Sequence, residues 1–348
     1  MSVRRKSSRA LPSEGNPVKV SLKIDINEFD KQEWHGLVKL SLENGGDLPA
    51  LEEGFAWNLH ELASIDGFYG NGYHPGLANW VRVYVNSEYI GLYTSVEQRD
   101  KRLLENRGLW LKDFTWLYEI DDISAWALEE GDPHSPTFNA LCYSPFVVSG
   151  GSGKKAVGCP IPNDATLQTQ LDSLIEMNAM LTQAAIDAFT DNDDALFSHG
   201  KNFSFADFDY DGLKRRYYPW DLDAVFRRTD ASIYGEVSRS GRVTQSPYQR
   251  VILNHPAYRE RYNAILLGLT EPGVMGPEPI TPGPLAETVL HAFLDNALLT
   301  VEQANAEDPY SLESAAATVA RLKNWVSARI SNVRVQALAS PSGPPPTR

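Results

Sequence analysis

Asp221 and Asp223 flank a single leucine in the stretch Tyr217-Tyr218-Pro219-Trp220-Asp221-Leu222-Asp223-Ala224-Val225-Phe226, and no other pair in the chain is so strongly set up for chemistry. Tyr217 and Tyr218 favour an extended backbone and Pro219 removes a ladder donor, so a strand is expected to stop at Trp220 and Asp221. At a period of two residues both carboxylates project to the same side. Held that close, they repel unless a proton or a cation lies between them. A hard cation such as Mg²⁺ suits such an oxygen-rich place, usually together with a substrate phosphate. A solvated acidic turn is the competing reading, but Tyr-Tyr-Pro-Trp on one side and Ala-Val-Phe on the other are too apolar for an open loop.

A second acidic run, Asp191-Asn192-Asp193-Asp194, lies upstream, followed by His199-Gly200-Lys201-Asn202-Phe203. The chain before it, from Ala165 to Phe189, carries Leu167, Leu171, Leu174, Ile175, Leu181, Ala185 and Phe189 at helical spacing, with nothing inside to break the run. The dipole of that helix disfavours acids at its carboxyl end, which argues for a compensating cation there. Further helices are expected at about 247–267, 284–303 and 309–337, the last opened by Asp308-Pro309 as cap and first turn. Residues 164–337 thus read as a helical lobe carrying the acidic loop, and residues 338–348 as a disordered tail.

The amino-terminal half reads differently. Residues 1–17 are polar and basic and are expected to be flexible. Val18 to Ile26 alternates as a half-buried strand, with Lys19, Ser21, Lys23 and Asp25 on its other face. A second strand runs from Trp34 to Asn44, and a helix from about Leu48 to Ile65 stops at Gly67. Residues 80–85 and 89–96 make a hairpin turned at Asn86-Ser87, and Trp110 to Ile120 adds a strand. An antiparallel sheet with one helix is therefore expected over 18–130, then an irregular insertion over 131–163.

Several short motifs fail on inspection. His60-Glu61 begins a zinc-protease HExxH, but Ser64 stands where the second histidine belongs. The glycines of Ser149 to Lys155 fit neither a phosphate-binding loop, since Val148 and Lys155 occupy its fixed positions, nor a nucleophile elbow, since Lys154 holds the last place. Cys142 and Cys159 are too few for a tetrahedral zinc site; one disulfide or two separate thiols both fit.

Composition narrows the function classes. A chain of 348 residues with 42% hydrophobic content can bury a large core. Its net charge of −13 argues against nucleic acid or an anionic membrane as partner. No apolar run is long enough to span a bilayer, and Met1-Ser2-Val3-Arg4-Arg5-Lys6 does not lead into a signal-peptide core.

Taken together, several stretches resemble the CotH kinase family of atypical protein kinases. Pro219-Trp220-Asp221-Leu222-Asp223 with the upstream Lys201-Asn202-Phe203 is one. Val83-Tyr84-Val85-Asn86 through Gly91-Leu92-Tyr93 to Val96-Glu97 is similar to that family's long hairpin motif, with Ser87 in place of a glycine; Lys19 to Lys23 and Gly36 to Leu42 resemble two of its strands. The resemblance implies an α+β, two-lobed, protein-kinase-like fold and transfer of the ATP γ-phosphate to Ser or Thr hydroxyls of a protein substrate, with Mg²⁺ or Mn²⁺. It implies Lys19 or Lys23 as the phosphate-pairing lysine and Glu97 as its acidic partner. Asp194 or Asp193 would serve the acceptor hydroxyl, and Asn202, Asp221 and Asp223 would hold metal. Departures at Ser87, at Glu119 and in the amino-terminal arginines keep open an inactive, scaffolding relative. Asp-Leu-Asp also matches the DxD of a metal-dependent sugar-nucleotide transferase. The compartment is not readable from the chain itself; the resemblance implies an extracellular, cell-surface or spore-coat place.

Overall fold

Alternating apolar and polar residues at the amino end build a twisted five-stranded sheet, seen in a computed structural model that describes residues 1–6, 19–34, 36–45, 49–70, 73–122, 125–130, 135–141, 160–237, 243–244, 246–275, 279–311 and 313–339. Its strands are β1 (Ser2–Arg5), β2 (Leu22–Asp25), β3 (Lys39–Glu43), β4 (Ala78–Val85) and β5 (Glu88–Glu97), in the order β1-β2-β3-β5-β4 and all antiparallel. Between β3 and β4 the chain forms helix α1 (Ala50–Ile65), which packs on β4 and β5. Gly54 permits that approach, because a Cβ there would lie 2.2 Å from Trp80 Nε1. The β4–β5 turn puts Asn86 and Ser87 at φ 49° and 70°, the left-handed pair of a tight hairpin.

Helix α2 (Lys101–Glu105) leads to a second antiparallel sheet, order β7-β6-β8-β9, made of β6 (Thr115–Asp122), β7 (Ala125–Glu130), β8 (Lys201–Phe208) and β9 (Arg216–Pro219). The remaining helices are α3 (Pro136–Ala140) and α5 (Met177–Phe189), which pack on this sheet, α4 (Asp164–Leu174), α6 (Pro247–Leu253), α7 (Pro256–Leu269), α8 (Glu287–Glu307), which packs on β5 of the first sheet, and α9 (Ala315–Ala339). The architecture is the expected one: α+β, an antiparallel amino-terminal sheet and a mainly helical carboxyl-terminal part. One continuous core runs from Phe55 and Leu59 of α1 through Tyr118, Phe205 and Tyr217 of the second sheet to Leu322 and Val326 of α9.

Four local expectations change. Asp308 closes the carboxyl end of α8 instead of opening the last helix, and α9 begins only at Ala315. Residues 1–6 are not a loose end. The edge strand β1 pairs Arg4 with Lys23 and Arg5 with Leu22, Lys6 N–H donates to Ser21 C=O at 2.9 Å, and Arg4 donates to both oxygens of Glu28 at 2.7 Å. Charged side chains suit such an exposed edge. The run from Ala165 to Phe189 is two helices, not one. Arg215 N–H donates to Leu174 C=O and Glu176 N–H to Arg215 C=O, so Ile175 is drawn into an extended bridge that local periodicity cannot foresee. The helix expected over 247–267 is likewise divided, because Pro256 starts α7 after the cap residue His255. Cys142, Cys159, the glycine-rich 149–155 segment and most of the 338–348 tail lie outside the described residues.

Candidate active site

Strand β9 ends at Pro219, and the chain turns so sharply that Asp221 takes φ 55°. Asn202, at the start of β8, has φ 52°. Asn and Asp tolerate this left-handed conformation better than most residues. Phe226, also at φ 55°, does not, and is held by ring contacts with Phe55 at 5.3 Å and Trp325 at 5.1 Å. Strained backbone of this kind persists where packing over-determines it, often at functional sites.

Asn202 and Asp221 line one side of a cavity of about 380 Å³. The other side comes from the first sheet and its exit: Arg4, Arg5, Lys6, Lys23, Gln98 and Arg99. Glu119 and Asp121 line it as well, so five cations outnumber three carboxylates there, a local reversal in a chain of net charge −13. Trp220 organises part of it, with Lys6 Nζ 4.3 Å and the Arg99 guanidinium 4.8 Å from its ring centre. Arg99 also donates to Phe203 C=O at 3.1 Å and to Asp121 at 3.0 Å, and it pairs with Glu119. The β5 exit is thereby tied to the second sheet.

On the inner side of Lys6 stands a carboxylate cluster. Glu43, Glu53 and Asp221 each bring one oxygen to within 4.8 Å of the others, and Lys6 is salt-bridged to Glu43. Glu43 also accepts from Ser41 Oγ at 2.6 Å. One oxygen of the fully buried Glu53 has no hydrogen-bond partner among the described residues. Burial first, and then the charges of Glu43, Asp221 and Asp223, push the Glu53 carboxyl well above the usual range. Burial likewise raises Asp221; Lys6 and Arg99 oppose the shift while Glu43 and Asp194 add to it. Three crowded carboxylates, one of them with an orphaned buried oxygen, form an oxygen-only donor set that fits a hard divalent cation.

The acidic run after α5 is fastened to the stretch beyond Asp223. Phe226 N–H donates to Thr190 C=O at 2.7 Å, Arg228 holds Asp191 at 2.9 Å and Arg227 holds Asp193 at 2.8 Å. Asp193 is thus occupied by an arginine. Asp194 lies 3.7 Å from both His199 Nδ1 and Lys201 Nζ, and its charge reaches Asp221. Of the residues singled out from sequence, the fold brings Lys23, Asn202 and Asp221 to one cavity, with Asp194 and Asp223 electrostatically coupled to the same cluster.

Lys19 and Glu97 go elsewhere. Lys19 Nζ donates to Asp308 at 2.8 Å and to Leu92 C=O, in the middle of β5. Glu97 takes a two-pronged bond from Arg107 at 2.9 and 2.7 Å, so it pairs with neither lysine. The lysine–carboxylate pair actually beside the cavity is Lys6–Glu43. Sequence reading passed over Lys6, Glu43, Glu53 and Arg99. For Glu53 the sequence carries a signal: α1 is largely apolar and contains no Lys or Arg to pair with, so acids within it are expected to be buried.

Two lobes, a charged cavity between their sheets and a single helix inserted after the third strand define a kinase-like α+β protein. The family model described as CotH kinase protein matches residues 11–143, so the resemblance read from the sequence is borne out over the first lobe and the β6–β7 region. The Asp-Leu-Asp stretch lies beyond that matched segment. No match was found among curated proteins. No helix among the described residues is long and apolar enough to cross a membrane.

Proposed function

We propose that this chain is a CotH-like protein kinase that binds Mg-ATP in the cavity between its two sheets and transfers the γ-phosphoryl group to a Ser or Thr hydroxyl of a protein. The observation carrying the reading is the opposition of Lys6, Lys23 and the Arg4–Arg5 pair on one wall to Asn202 and Asp221 on the other. Cations on that scale suit a triphosphate, while the oxygen donors suit its metal.

In this reading Lys23 and Lys6 bind phosphate oxygens, and Glu43 orients Lys6 in the role the family resemblance implies for Glu97. A metal would be held by Asp221 together with Glu43 and Glu53, with Asn202 and Asp223 alongside. A divalent ion bound there would neutralise charge that develops on the transferred group. Asp194 accepts the proton of the acceptor hydroxyl; that oxygen bonds to the γ-phosphorus as the bond to the β–γ bridging oxygen breaks and ADP leaves. Asp193 serves the loop through Arg227 rather than the hydroxyl.

Thermal unfolding with and without Mg-ATP, joined to transfer of labelled phosphate to the protein itself or to casein, tests the reading. The expected result is a raised midpoint and transfer, both lost in Asp221→Ala. Binding without transfer across several divalent metals would favour the scaffolding relative, and a midpoint raised by a UDP-sugar but not by ATP the sugar-nucleotide transferase.

A further inference from the structure

Asp187 is a fully buried carboxylate on α5 that the proposed reaction does not use. Its Oδ1 accepts a hydrogen bond from Asn192 Nδ2 at 3.2 Å, and Asn192 N–H donates to Asp187 C=O at 2.9 Å. Asn192 Oδ1 in turn accepts from the backbone N–H of Asp194 at 3.1 Å. On the other side His60 Nε2 lies 4.0 Å from Asp187 Oδ1, while His60 Nδ1 meets Tyr69 OH at 2.6 Å. His60 sits seven residues after Glu53, two helical turns along the same face of α1. A small cavity of about 30 Å³ lies beside Asp187 and Asn192, and Asp187 Oδ2 has no hydrogen-bond partner among the described residues.

We infer that Asp187 is a positioning residue whose protonation state sets the placement of Asp194 through Asn192, linking the acid–base behaviour of the core to the candidate catalytic loop. The inference rests on the kinase reading for its consequence, though not for its geometry.

The surroundings leave Asp187 without a fixed counter-charge. His60, lowered to about 3 by burial, is neutral near physiological pH. Burial keeps the hydroxyls of Tyr69 and of Tyr262 on α7 un-ionised. Arg228 is engaged by Asp191, and Arg329 on α9 gives its guanidinium to four backbone carbonyls. Asp187 is therefore raised to about 7, by burial above all, with the bonds from Asn192 and Gln183 opposing. Ionised, it is the stronger acceptor and holds Asn192 firmly; protonated, it loosens the bond that orders Asp194 N–H.

The test follows the backbone ¹⁵N–¹H resonances of aspartate-labelled protein as pH is varied from 5 to 9 (roughly two units either side of the expected midpoint). With His199→Gln as the common parent protein, which removes the imidazole 3.7 Å from Asp194, the Asp194 amide is expected to titrate near pH 7 and to stay flat once Asp187→Asn is added. In Asn192→Ala the Asp187 resonance should still titrate while Asp194 no longer follows. Phosphate transfer should fall about tenfold per pH unit below the midpoint in the parent protein only. A flat Asp194 resonance in the folded parent protein overturns the inference whether or not phosphate is transferred. A titrating Asp194 in a protein that shows no midpoint shift with Mg-ATP would sink the kinase reading and leave the link standing.

Discussion

Two lysines from the amino-terminal lobe enter buried carboxylates, and they end in opposite situations. Lys19 closes a saturated clasp: its ammonium reaches Asp308 and Leu92 C=O and lies 4.6 Å over the Tyr93 ring. Asp308 is also filled by Leu92 N–H and Tyr310 N–H, both at 2.9 Å. Gly91 of the hairpin motif makes room for it, since a Cβ at that position would lie 2.7 Å from Asp308 Oδ1. Lys6, by contrast, is a single ammonium facing Glu43, Glu53 and Asp221, and one Glu53 oxygen is left over. Chemically similar side chains thus make a structural staple in one place and an unfinished donor set in the other. What separates them is whether the carboxylates have donors enough.

The contrast breaks first, and most severely, at the clasp. Asp308→Ala leaves Lys19 buried without its partner and should cost about 3 kcal/mol in urea unfolding, with the midpoint shift on adding Mg-ATP unchanged. At the cavity the dependence reverses. Lys23→Ala should weaken ATP binding by about tenfold or more, measured by calorimetry, with little change in stability. Glu53→Gln removes repulsion from a crowded carboxylate cluster, so without metal the protein should become more stable by roughly 0.5–2 kcal/mol while losing metal affinity. A destabilised Glu53→Gln would place that residue with the staple rather than with the site.

A smaller, pH-dependent effect sharpens the same contrast deeper in the core. Asp187 is raised in the folded state, so the unfolded chain releases its proton first and the folded protein binds more protons between about pH 4 and 7. Stability relative to Asp187→Asn should therefore decline as pH rises through that window, by at most about 1.4 kcal/mol per unit, and level off above it. Unfolding curves for the two proteins across that range measure the difference directly.

The staple side of the molecule was more legible in the sequence than the site. The β4–β5 hairpin is readable because alternation and the two-residue Asn86-Ser87 turn agree, and α1 because its apolar spacing is unbroken. The Asn202 and Asp221 wall of the cavity is half visible: both stand beside an aromatic strand that can only be buried. Lys6 was hidden by the polar residues after it, since a four-residue edge strand has too few positions to show a period. Glu43 looks like the solvent side of an alternating strand, and Glu53 like an ordinary first-turn acid that complements the helix dipole. Nothing local marks Lys19 as a partner of Asp308, 289 residues further on. The partner of Glu97 is equally illegible, because Arg107 reaches it only after α2 turns the chain back.

The most direct measurement is titration of Mn²⁺, followed by electron paramagnetic resonance, with and without ATP. The protein, Asp308→Ala, Glu53→Gln and Asp221→Asn would be compared. A shared metal and triphosphate site predicts that ATP tightens Mn²⁺ binding and Mn²⁺ tightens ATP binding by the same factor. That coupling should survive in Asp308→Ala and vanish in Asp221→Asn, with Glu53→Gln weakened. Mn²⁺ binding that ignores both ATP and the Asp221 substitution would contradict the account.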